Sequence, residues 1–162
     1  MIRSLSISFL LFALTINVYS ANIDLRLEIF SGDLSMFDNS IIPVITYSDS
    51  SAFSPSSPIL IFEDGDVLTI KVVNSDINVH GFKVDGLIDI GSIAAGDSVT
   101  QVITLIAGIY KYYDPTSIEN QYLGLSGLIH VKESGDLTPY FYWNLREHEP
   151  ELNNAVSSGG SI

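Results

Sequence analysis

The chain has no cysteine in 162 residues. That excludes disulfides, and with them the usual staple of small extracellular domains. It also excludes metal centres that need thiolate: Cys-ligated zinc, iron–sulfur clusters and blue copper. Cationic side chains are scarce as well, 7 Lys and Arg against 19 Asp and Glu, for a net charge of −12. Such a surface repels nucleic acid and anionic membrane, so neither is an expected partner. There is no long apolar stripe of helical period, no glycine-rich phosphate loop, no Asn-x-Ser/Thr sequon, no internal repeat and no Ser-His-Asp spacing that nominates a catalytic triad.

What is present begins with a leader. Arg3 forms a short basic region, and Leu5 to Ile16 is mostly apolar but too short to span a bilayer. Val18-Tyr19-Ser20 fits a small-x-small cleavage pattern, so residues 1–20 read as a signal peptide and the mature chain as starting at Ala21. The expected location is secreted or periplasmic. Without Arg3 the net charge becomes about −13. Solubility is the simplest role for it.

Gly, Pro, Ser and Asp clusters then cut the chain into short apolar runs, the signature of an all-β protein. In Ile23–Phe30, Ile23, Leu25, Leu27 and Ile29 alternate with polar residues, which predicts a half-buried strand. Further strands are expected at 41–47, 59–62, 67–73, 80–84, 87–93, 98–106, 110–113 and 128–132. Glu63–Asp66, Asp85-Gly86 and Ala94–Asp97 read as turns, and the Ser- and Pro-rich stretch 48–58 as an exposed loop. No helix is indicated. Strands at this spacing predict a two-sheet Greek-key β-sandwich over 21–133. Residues 134–162 form an aromatic, then polar, tail or linker. Its Tyr140–Trp143 cluster needs cover, from the sandwich or from a partner.

Four marks in order carry a resemblance. Asp64-Gly65-Asp66-Val67-Leu68-Thr69-Ile70 leads to Asn74; His80-Gly81-Phe82 follows; Ala95-Gly96-Asp97-Ser98 precedes a strand; and Gly108-Ile109-Tyr110-Lys111-Tyr112 is followed by Gly124-Leu125-Ser126-Gly127-Leu128-Ile129. Together they resemble a cupredoxin, or plastocyanin-like, domain over about residues 60–132. Gln121 ahead of Gly124-Leu125, and the tail after the last strand, make it most similar to the N-terminal domain of multicopper oxidases and two-domain nitrite reductases.

The resemblance implies copper, and the ligand positions argue against it. Mapped onto the family's pattern, His80 stands for the first His, Asp114 for the Cys, Asn120 for the second His and Leu125 for the axial Met. Blue copper needs the soft set of two imidazoles and a thiolate, so His80 with Asp114 would make at most a weak Cu(II) site. The His-x-His pairs of an oxidase cluster read Asn78-Val79-His80 and Tyr113-Asp114-Pro115. His80 is read as a structural residue that hydrogen-bonds the loop after Tyr112, with residual metal binding as the alternative. His130 reads as a surface-facing strand residue, and His148 as part of a solvated polar tail. The expectation is a copper-free binding or structural module, contacting another protein or a second cupredoxin domain through loops or Tyr140–Trp143. The alternatives are one domain of a multicopper oxidase-type oxidoreductase with metal shared across domains, and an unrelated β-sandwich surface protein.

Overall fold

In the computed structural model, residues 20–142 and residues 155 and 157–159 are described. The leader, Trp143 and His148 lie outside them. Among the described residues nine strands follow in order: β1 (Asn22–Ser35), β2 (Ile41–Ser48), β3 (Ile59–Glu63), β4 (Val67–Asn74), β5 (His80–Val84), β6 (Ile88–Ile93), β7 (Ser98–Thr104), β8 (Gly108–Tyr113) and β9 (Ser126–Lys132). They build one sheet of order β2-β1-β4-β7 and another of order β3-β9-β8-β5-β6. This is the all-β, cupredoxin-like two-sheet sandwich that the motifs led us to expect. Two pairs, β1–β4 and β3–β9, are parallel.

The alternation of β1 works as read: Leu27 and Ile29 are fully buried, against Leu68, Ile70 and Val72 of β4 and Phe82, Val84 and Ile129 of the facing sheet. β1 runs further than its alternating core. Beyond Phe30 it continues through Gly32 and pairs with β2 from Glu28↔Ser48 to Ser35↔Ile41. At the centre of the sandwich Tyr47, Phe82 and Tyr112 pack with ring centroids 5.4 Å apart. Gly127 makes this possible, because a Cβ there would lie 2.2 Å from the Tyr112 ring.

The structure also has an element the sequence pattern did not announce, a short helix α1 (Ile118–Leu123). Ser117 caps it by accepting from the Glu119 and Asn120 amides, and Gly124 follows its last residue. Six residues are too few for a helical stripe, so capping and Leu123, its buried residue, define it rather than periodicity. Among the described residues no helix is long and apolar enough to cross a membrane.

Candidate functional site

The loop after β4, the first residue of β5, the loop after β8 and α1 meet at one end of the sandwich. His80 opens β5 and is 1% exposed. Its Nδ1 lies 2.9 Å from Asp114 Oδ2, and its Nε2 lies 2.9 Å from Asp76 Oδ2. Asn120, on α1, donates through Nδ2 to the same Asp114 oxygen at 2.8 Å and sits 3.2 Å from His80 Nδ1. Leu125 is fully buried. The positions matched to copper ligands are therefore brought together, and His80 contacts the loop after Tyr112. Asp76 is the member that sequence reading missed. The family pattern pointed only to ligand positions, and Asp76 lies in the loop ahead of them.

Every polar group of the cluster is anchored. Asp114 Oδ1 accepts from the Gly81 amide at 2.9 Å, from the Thr116 amide at 2.9 Å and from the Thr116 hydroxyl at 2.7 Å. Gly81 is needed for this approach, since a Cβ there would meet the Gly91 carbonyl at 2.1 Å and Pro115 at 2.9 Å. Gln121 Nε2 donates to the Asp114 carbonyl at 3.1 Å. Asp76 Oδ2 also accepts from the Asn78 amide at 3.1 Å, while Asn74 Oδ1 takes the Asp76 amide at 3.0 Å. Asn74 Nδ2 ties the loop to Asn78 O and to Ile93 O of β6. Below the cluster Tyr47 donates its hydroxyl to Gly81 O. Burial, with the Asp114 charge and Tyr112, pushes the Tyr47 pKa well up and keeps it a donor.

The charges follow from these contacts. Burial opposes a charged ring at His80, but hydrogen bonds and charge from Asp114 and Asp76 outweigh it and raise its pKa. Burial likewise opposes ionisation of Asp114, and the His80, Thr116 and Asn120 bonds outweigh it and lower its pKa. For Asp76, burial is outweighed by bonds from Ser31, His80 and the backbone, and its pKa falls to about 2. An imidazolium donating from both nitrogens to two carboxylates is the protonation state that satisfies all three groups.

This donor set does not fit the copper site that the resemblance implies. A type 1 site needs two imidazoles and a thiolate, and the cluster offers one imidazole, two carboxylates and an amide. Both His80 nitrogens face carboxylates. The donors on Asp114 already take up the roughly four lone-pair positions a carboxylate has. Among the described residues no group of three His, Cys, Asp or Glu is arranged to hold a metal ion. At the positions of the oxidase-type pairs, Tyr113 donates to Asp85 at 2.9 Å, and Pro115 packs at Gly81.

His130 differs from its reading as a surface residue. It does face away from the core, opposite Ile61 of β3 and Ile109 of β8, yet it is 6% exposed. The chain after β9 folds back over it. Tyr140 packs edge-on to its ring at 4.5 Å, and Tyr142 bonds its Nδ1 through the hydroxyl. Part of the aromatic tail thus packs on the sandwich, while Phe141 stays exposed.

No family model matches the chain, and no curated protein sequence matches it. Solved structures do. A copper nitrite reductase from Nitrosomonas europaea aligns with 85% of this chain and 53% of its own length, at TM-score 0.65 and 16% identity. A multicopper oxidase aligns with 72% of this chain and 44% of its own, at 0.62 and 22%. A multicopper oxidase from Pseudomonas thermotolerans aligns with 71% and 30%, at 0.59 and 17%. The likeness shows the fold. The chain spans about a third to a half of the length of these proteins.

Proposed function

We propose that this chain is a secreted, cupredoxin-like binding or structural module in which an imidazolium held by two carboxylates stands where the fold's copper would be. The observation that carries this is the pairing of both His80 nitrogens with Asp76 and Asp114 at 2.9 Å. A cation at that point neutralises buried acidic groups and ties two loops to β5, as a metal would. It can neither change oxidation state nor pass an electron. The leader-like start of the chain supports export. The likeness to part of larger copper proteins supports a role beside another domain or protein.

Copper titration of the chain from Ala21 tests this, followed by visible absorption and electron paramagnetic resonance. The expected result is no intense thiolate-to-copper band and no stoichiometric tight Cu(II) site. A stoichiometric sub-micromolar site that is lost in a His80→Ala variant still folded by circular dichroism overturns the proposal. The alternative, a domain of an oxidoreductase with shared metal, is favoured if copper binds only when a second cupredoxin domain is supplied.

A further inference from the structure

Each sheet of an open sandwich has two edges, and exposed edges invite pairing unless something blunts them. Three of the four here are blunted. β2 contains Pro43 and is overlaid by the Ser-rich loop, with Thr46 Oγ1 bonded to Ser54 O and the Tyr47 amide donated to Ser57 Oγ at 3.1 Å. β3 is five residues long, follows Pro58 and ends in Glu63. β6 contains Asp89 and Gly91, and its register with β5 shifts between His80 and Phe82. The fourth edge, β7, reads Ser-Val-Thr-Gln-Val-Ile-Thr, with no proline, glycine or charge.

β7 pairs with β4 on one side and, among the described residues, ends its sheet on the other. In that register Val99 lies opposite Val72, Gln101 opposite Ile70 and Ile103 opposite Leu68. Because those partners are fully buried, Val99, Gln101 and Ile103 share the core-facing side. Yet Val99 is 38% exposed, and Val102 on the other side is 62% exposed. Gln101 also lines a cavity of about 410 Å³ with Val84, Leu87 and Ile88, beside the paired Lys83 and Asp89. The sandwich is open along this edge.

We propose that two copies of this chain pair through β7, antiparallel about a twofold axis at Gln101, joining their four-stranded sheets into one of eight strands. The pattern is self-complementary. With Gln101 facing itself, Val99 meets Ile103 of the second copy on the core side, covering the exposed valine. Thr100 meets Val102 of the second copy on the outer side. The self-complementary pattern of β7, and not charge, selects a second copy as the occupant. Two bodies of net charge −12 repel everywhere that acidic residues face each other, and β7 offers an uncharged line of approach. One pair of strands buries less than a standard interface, so the dimer is weak and concentration-dependent.

Sedimentation velocity on the chain from Ala21, over rising concentration and two salt levels, tests this. The expected mass climbs from one copy towards two, and climbs further in high salt, where acidic repulsion is screened. Val102→Lys, at an exposed position that leaves the fold intact by circular dichroism, weakens association about tenfold. Backbone amides of β7 in the unaltered chain gain protection from hydrogen exchange as concentration rises. A one-copy mass up to millimolar concentration in high salt overturns the proposal. So does a dimer indifferent to Val102→Lys, or one that protects β2, β3 or β6 instead of β7.

Discussion

Among the described residues two histidines are buried, and they differ in almost everything but burial. His80 sits at the sandwich end between two carboxylates. His130 lies on the outer face of a sheet, between strands that place Ile61 and Ile109 beside it, and is covered by tyrosines. The first links β5 to two loops and α1. The second fastens the segment after β9 to one strand. Burial alone therefore says little about a histidine, and its partners decide what it holds together.

The contrast can be tested most sharply by restoring chemistry at one of the two. Asp114→Cys, Asn120→His and Leu125→Met together supply the donors that the mapped positions lack. We expect the triple variant to bind Cu(II) with an intense visible charge-transfer band that the parent lacks. A folded variant that stays colourless would show that only the fold, and not the ligand geometry, is retained around His80.

Next in size is Asp114→Ala. It strands the Gly81 and Thr116 amides and leaves His80 with half its counter-charge, so a loss of about 3–5 kcal/mol is expected in urea unfolding. A loss below about 1 kcal/mol, the scale of an exposed pair, would remove the distinction from His130.

The pH dependence is smaller and has a definite sign. His80 has a raised pKa, so its contribution is complete below the ordinary value of 6.5 and is lost as pH rises through the folded value. Asp76 and Asp114 have lowered pKa values, so theirs are complete above 3.8 and are lost as pH falls, down to about 2 for Asp76. The urea midpoint should therefore be highest between about pH 4 and 6.5 and fall on both sides. Asp114→Asn should flatten the alkaline limb; an unchanged limb would mean that His80 is not held as a cation.

The smallest effect is expected at the second histidine. Tyr142→Phe removes one hydroxyl bond to His130 and should cost about 0.5–1.5 kcal/mol. A loss as large as that of Asp114→Ala would make the tyrosine cover as important as the charged cluster.

Much of this was legible in the chain itself. Alternation in β1, the Gly and Asp turns and the Gly127 that admits Tyr112 all act locally, and local constraints leave marks in sequence. His80, Asp114 and Asn120 could be placed together only because a family pattern supplies their distant spacing. Asp76 carries no such mark, since its role depends on a loop that folds back onto His80. α1 was hidden for another reason: Ser117 and Gly124 bracket it, but six residues are too few for a periodic stripe. The cover over His130 likewise depends on where the chain turns after β9, around Asp136, whose side chain accepts from the Thr138 amide at 2.8 Å and from the Tyr140 hydroxyl.

The parallel pairing of β3 with β9 has a consequence in time. Ile59–Glu63 can find its partner only after Leu128–Lys132 has been made, and β8 needs the same strand. The five-stranded sheet cannot close on a partial chain, however much of its core is already present. Folding of this sandwich waits on long-range closure, which is slow for all-β chains. Until that moment Leu60, Phe62 and Tyr112 have no completed sheet to be buried in.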